Sequence, residues 1–326
     1  MKSLSIAITT LITLSFMTVS YSTELPREVF VSRVEVIPFT SSTLTDEQFL
    51  KGEDLGPVVT LAGELRIPVS LSSAKLPLII ITHGSGGINS ANQSWVFDLN
   101  SEGYATFLID SFSGRGLTQV STDQTKLGRF AGVLDIYRAF EKLSDHPRID
   151  INRVAIVGTS RGGTAAIYTA MKRFQDKWSQ KFKALASYPM YPSCFDKIEQ
   201  DEAITMPIHA FYGEMDDLAS KDSCERWIER LSRAGKNATY IEYPNANHSF
   251  DSLLGSKTPT VSKGEKTLRN CRISEVSGVL INTDEQKPYS YQDACVSVDP
   301  KVGYDPVAAK LAHKSVIDDL KKLFNQ

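Results

Sequence analysis

The segment Leu76–Thr82 reads Leu-Pro-Leu-Ile-Ile-Ile-Thr, and a strand of that composition has no face to offer to water. Residues 104–110 and 154–157 repeat the pattern, so the chain needs cover for both faces of a sheet. The intervening stretches supply it: between 129 and 143, Phe130, Val133, Leu134, Tyr137 and Phe140 recur at helical spacing. Further strands are expected at 29–36, Val58–Ile67, 184–188, 208–212 and 239–243, and further helices at 162–172 and at 220–234, the latter stopped by Gly235. A last helix opens with Asp305 as cap and Pro306 in the first turn, and turns Ala309, Ala312, Val316, Leu320 and Leu323 inward. This alternation predicts an α/β class with a mostly parallel central sheet and helices on both faces.

The N-terminus stands outside that pattern. Lys2 precedes a mostly apolar stretch, 4–19, that ends in Ser20-Tyr21-Ser22, which reads as a signal peptide over 1–22. Its apolar part, 6–19, includes Thr9, Thr10, Thr13, Ser15 and Thr18 and falls short of the roughly 20 apolar residues of a membrane span, so no stable membrane anchor is expected. The remainder, 23–326, is long enough for one large core. Its charge is nearly balanced, with a net −2 over the whole chain, too little to steer nucleic acid or anionic lipid.

Export into an oxidising compartment makes disulfides the expected state of the four cysteines. Chain order favours Cys194 with Cys224 and Cys271 with Cys295, the second pair inside an excursion at 251–302. No metal site is expected, because there is no Cys-x-x-Cys and His83, His146, His209, His248 and His313 are scattered without a His-Glu-x-x-His.

The chemistry centres on Gly158-Thr159-Ser160-Arg161-Gly162-Gly163, a Gly-x-Ser-x-Gly between an expected strand and an expected helix. Glycines on either side of the serine allow a sharp turn that lifts the hydroxyl above the sheet. A hydroxyl becomes a nucleophile when an imidazole takes its proton, and the imidazole needs a carboxylate to set its tautomer. His248 follows the strand at 239–243, on the sheet edge where loops after parallel strands collect; His146, His209 and His313 are placed elsewhere. Gly213-Glu214-Met215-Asp216-Asp217 follows the strand at 208–212 and offers two adjacent acids, between which the local sequence does not choose. The chain order Ser160, acid, His248 is that of the α/β-hydrolases. Two backbone amides are expected to form an oxyanion hole, that of Arg161 and one from His83-Gly84-Ser85-Gly86-Gly87, with Ser85 preferred and Gly86 the alternative. The same turn fails as a nucleotide loop, since Asn89 stands where a third glycine belongs.

Together with Asp110-Ser111-Phe112-Ser113-Gly114-Arg115-Gly116, His248-Ser249-Phe250-Asp251 and Gly303-Tyr304-Asp305-Pro306-x-Ala308-Ala309, these motifs resemble the dienelactone hydrolase-related branch of the α/β-hydrolase superfamily over most of 23–326. The resemblance implies a single α/β-hydrolase domain, hydrolysis of small or moderate esters or lactones without a cofactor, and Asp216, three residues after the glycine, as the acid. Dienelactone hydrolases proper carry a cysteine where this chain has Ser160, which argues for a general esterase over activity on dienelactone itself. A serine peptidase or other acyl hydrolase using the same three residues and a non-catalytic binding module on a hydrolase scaffold are the alternatives.

Three secondary expectations complete the reading. Asp110 and Arg115 are expected to pair at the rim of the site, the Cys194–Cys224 bridge to pin the loop carrying Asp216, and the 251–302 excursion to serve as a lid, a pocket wall or a surface loop. Asn92, Asn237 and Asn247 begin glycosylation sequons, but a glycan on Asn247 would crowd His248; a bacterial exported protein, periplasmic or secreted, fits better.

Overall fold

The computed structural model describes residues 33–68 and 74–325; the expected leader, 1–22, lies outside the described residues, as do positions 29–32 of the first expected strand. Among the described residues the central sheet has eight strands: β1 (Arg33–Ser42), β2 (Val58–Ile67), β3 (Leu76–Thr82), β4 (Ala105–Asp110), β5 (Ile149–Thr159), β6 (Ala186–Met190), β7 (Ile208–Gly213) and β8 (Ala238–Tyr243). They lie in the order β1-β2-β4-β3-β5-β6-β7-β8. β1 pairs antiparallel with β2 and β2 with β4, and from β4 onward every pairing is parallel.

Leu78, Ile79, Ile80 and Ile81 of β3 are fully buried, which only a sheet covered on both faces permits. Burying each such side chain contributes roughly 1.5–3 kcal/mol before the entropy of ordering is subtracted. β1 is an edge strand that continues past the expected end, through Pro38, because a proline on the open edge removes no ladder bond. β5 likewise extends beyond the apolar core of 154–157, to Ile149 on one side and Thr159 on the other.

Among the described residues seven α-helices accompany the sheet: α1 (Asp46–Lys51), α2 (Ser90–Ser101), α3 (Ala131–Leu143), α4 (Arg161–Tyr168), α5 (Lys172–Trp178), α6 (Lys221–Arg233) and α7 (Pro306–Phe324). The single helix expected at 162–172 is therefore two, α4 and the start of α5, separated by a break at 169–171. α7 begins as read, with the Asp305 side chain accepting from the Val307 and Ala308 amides. At its far end Phe324, and not the half-buried Leu323, closes the buried face. Asn92, on α2, is fully buried, so its sequon has no room for a glycan.

Disulfides join Cys194 to Cys224 and Cys271 to Cys295. Residues 251–302 form short antiparallel pairs: Ile273–Val276 with Val279–Asn282, Lys266–Thr267 with Ser297–Val298, and Thr260–Val261 with Lys301–Val302. They dock on the body through the buried Glu275 carboxylate, which takes both arms of Arg173 at 2.6 and 2.7 Å. Among the described residues no helix is long and apolar enough to cross a membrane, and no cluster of three metal-ligating side chains occurs.

Candidate active site

Ser160 stands at the junction of β5 and α4 with φ 54° and ψ −116°, a positive φ that a side-chain-bearing residue adopts only under constraint, at about 1–3 kcal/mol. The constraint is close packing. A Cβ on Gly158 would lie 2.2 Å from the Gly162 carbonyl oxygen, and one on Gly162 would lie 2.5 Å from that of Thr82. Only glycine at both positions lets strand and helix meet closely enough to force the turn. The Ser160 amide is anchored to the Met190 carbonyl at 2.9 Å.

The loops after β7 and β8 converge on this serine. His248 Nε2 lies 2.9 Å from Ser160 Oγ, and its Nδ1 lies 2.8 Å from Asp216 Oδ2. The other Asp216 oxygen accepts from the Leu218 and Ala219 amides, both at 2.9 Å. Burial opposes ionisation of Asp216, but the His248 ring and the two amides outweigh it and hold the carboxyl below the usual range. Burial likewise pushes His248 down, and the Asp216 charge and hydrogen bond reverse this, leaving the imidazole above its ordinary value. Asp217 is engaged elsewhere, accepting from the Lys301 amide at 2.7 Å and pairing with Arg269 at 3.2 Å. Of the two adjacent acids, Asp216 is the one that meets His248.

The glycine-rich turn after β3 lies against the serine: a Cβ on Gly84 would sit 3.1 Å from Ser160 Cβ. Ser85 and Gly86 line the same cavity as Ser160. The Arg161 amide opens α4, where amides have no intrahelical acceptor. Its guanidinium is buried, donating to the Gln124 Oε1 at 2.7 Å, the Gly128 carbonyl at 2.7 Å and the Leu127 carbonyl, and burial without a carboxylate partner brings it down to about 10. Gln124 Nε2 in turn donates to Ser85 Oγ at 3.1 Å. One buried amide side chain thus ties together the two loops expected to carry the oxyanion donors.

The remaining histidines lie where the sequence placed them: His146 after α3, His209 in β7 and His313 on α7, stacked on Trp95. The expected Asp110–Arg115 pair does not form. Asp110 accepts from the Phe112 and Ser113 amides at 2.9 Å, closing its own turn, while Arg115 grips Asp135 on α3 with both arms at 2.8 Å. A carboxylate beside unpaired turn amides is satisfied locally, which leaves Arg115 for the buried acid beyond.

Three contributors had no sequence signal. Tyr191 packs its ring 4.5 Å from that of His248 and donates to Asp251, which also accepts from Trp95, at 2.6 and 2.8 Å. Gln124 is the second and Glu265 the third. The cavity in front of Ser160 has a volume of about 280 Å³, and Thr260, Ser262 and Glu265 of the excursion form part of its wall. The Gly303 amide donates to the His248 carbonyl at 3.0 Å, fixing the end of that wall to the histidine loop.

The dienelactone hydrolase family profile matches residues 63–269. No curated protein matches the sequence. Among solved structures, one described as a dienelactone hydrolase from Klebsiella pneumoniae is 15% identical with a TM-score of 0.55, covering 88% of this chain and 99% of its own. A dienelactone hydrolase-like promiscuous phosphotriesterase from metagenomic libraries is 14% identical with a TM-score of 0.57, covering 89% of this chain and 98% of its own. Both share the α/β-hydrolase fold with this chain.

Proposed function

Because this chain belongs to the dienelactone hydrolase family it is a carboxylic ester hydrolase, and we propose that it cleaves small esters or lactones through a Ser160 acyl-enzyme, with His248 as base and Asp216 orienting it. The observation that carries this reading is the unbroken hydrogen-bonded line from Ser160 Oγ through both ring nitrogens of His248 to Asp216, at 2.9 and 2.8 Å.

In the proposed sequence, Ser160 Oγ attacks the ester carbonyl as its proton passes to His248 Nε2. The tetrahedral oxyanion is held by the Ser85 and Arg161 amides, and His248 returns the proton to the departing alkoxide. Water then attacks the acyl-enzyme, giving up its proton to His248, and the acid leaves as Ser160 recovers its hydrogen. Asp216 keeps Nδ1 protonated throughout and stabilises the imidazolium. Water is the one co-substrate these steps consume.

The two disulfides further support an exported protein, periplasmic or secreted, since thiols in a reducing cytosol do not persist as bridges. The test is to treat the protein with a fluorophosphonate, map the label, and follow short-chain p-nitrophenyl ester hydrolysis in the wild type and in Ser160→Ala. The expected result is a label on Ser160 and a loss of turnover on the order of 10⁴–10⁶-fold in the variant. Undiminished turnover in Ser160→Ala would overturn the proposal.

A further inference from the structure

Glu265 is a buried carboxylate in the wall of the cavity that holds Ser160 and His248. Its residue is 8% exposed, and its Oε2 accepts one hydrogen bond, from Ser262 Oγ at 2.6 Å. An ionised carboxylate has about four acceptor positions. Among the described residues no lysine, arginine or histidine lies within ion-pair distance of it. Such a group is costly to bury unless a donor arrives from elsewhere.

The backbone holds Glu265 firmly in place. Its carbonyl accepts from the Asp299 amide at 3.0 Å, and Gly264 donates to the Asp299 side chain at 2.6 Å, tying the turn to the opposite strand. Short hydroxyl side chains, among them Ser121, Ser249, Ser252 and Ser256, make up much of the remaining lining, with Asn89, Tyr191, His248 and Val302 beside them, and no lysine or arginine lines it. At about 280 Å³ it lies at the small end of ligand cavities.

We infer that Glu265 selects the substrate: the group occupying this cavity is a short chain carrying a hydrogen-bond donor, a hydroxyl or a protonated amine, which Glu265 accepts, and a chain ending in a carboxylate is rejected. This rests on the serine-esterase reading of the same site. The chemical complement of a carboxylate in a cavity without lysine or arginine is a donor, and a second carboxylate there meets like charge, while His248, the one basic side chain among the described lining residues, is engaged with Asp216 and Ser160. Hydrogen bonds to a charged group of this kind discriminate by about 10- to 100-fold.

The experiment compares kcat/KM, by pH-stat at pH 7, for four matched methyl esters: butyrate, 3-hydroxybutyrate, 3-aminobutyrate and the monoester of succinate. Wild type, Glu265→Gln and Glu265→Leu are assayed, and each is labelled with fluorophosphonate and melted to verify an intact site and fold. The expected order in the wild type places the hydroxy or the amino ester at least about tenfold above butyrate, and succinate last; which of the two leads identifies the donor. Glu265→Gln should bring the amino and succinate esters close to butyrate, and Glu265→Leu should erase the hydroxyl advantage as well. Equal rates on all four esters in a wild type labelled at Ser160 would overturn this inference and leave the esterase reading standing. The wild-type order alone is decisive here even if the variants fail to fold, and a preference that survives in Glu265→Leu would remove Glu265 from the role. Absence of both label and turnover would overturn the two readings together.

Discussion

Asp216→Asn changes one atom of a side chain held at three points. Asp216 Oδ1 accepts from the Leu218 and Ala219 amides, and those donors would keep the oxygen of the new amide where it is. The nitrogen then falls at the position of Oδ2, 2.8 Å from His248 Nδ1, and donates to it. The imidazole must carry its proton on Nε2 instead, and points a donor at Ser160 Oγ, 2.9 Å away, where an acceptor is needed. The fold and the cavity are undisturbed, while the base is in the wrong tautomer. Such a change costs about 10⁴ in kcat, or about 5 kcal/mol of transition-state stabilisation. The pH profile moves as well. In the wild type Asp216 lifts His248 above 6.5, so kcat/KM rises with pH along a limb centred above that value; without the carboxylate, burial is opposed only by the weaker pull of Glu265 and Asp251 and the limb moves down. The assay is p-nitrophenyl acetate turnover from pH 5 to 9 for both proteins, with thermal melts alongside. Activity within tenfold of wild type, or an unmoved acid limb, would refute the assignment of Asp216.

Three other perturbations follow from the same contacts. Gln124→Ala removes the link between Ser85 Oγ and the buried Arg161 guanidinium and should lower kcat by about tenfold and stability by about 1–3 kcal/mol, read by kinetics and denaturant melts. Arg115→Met leaves Asp135 buried without its cation and should cost about 3–5 kcal/mol in urea unfolding, with KM unchanged in whatever protein remains folded. Replacing both Cys194 and Cys224 with serine opens a loop of 30 residues and should lower stability by about 3–4 kcal/mol, with non-reducing mass analysis showing a single remaining bridge.

Leu76–Thr82 was legible because a parallel strand buried on both faces reads as an unbroken apolar run, and the antiparallel Val58–Ile67 by its alternation of buried and open positions; both begin and end where the sequence placed them. α2 was not, since it buries Asn92 and Ser94 beside Trp95 and shows no clean apolar stripe. Asn92 is there for a polar reason, donating to Thr159 Oγ1 at 3.0 Å next to the serine turn. α1 carries a capping box, Thr45 with Gln48, but six residues are too few for a periodic signal. In the proposed site, the turns that carry Ser160 and His248 pointed to their meeting at one sheet edge, and the preference for Asp216 over Asp217 came from family resemblance; the geometry places Asp216, not Asp217, beside His248. The pairing of Arg115 with Asp135, the Gln124 bridge and Glu265 depend on elements that meet only in three dimensions, and no spacing along the chain encodes them.

The central claim is that an acyl group passes through Ser160. Rapid-quench intact-mass analysis, with an ester chosen for slow deacylation, tests it directly. The account predicts one acyl group per chain on the peptide containing Ser160, formed at the rate of the product burst and absent from Ser160→Ala. Steady turnover with no adduct at Ser160, or an adduct mapped to another residue, would contradict it.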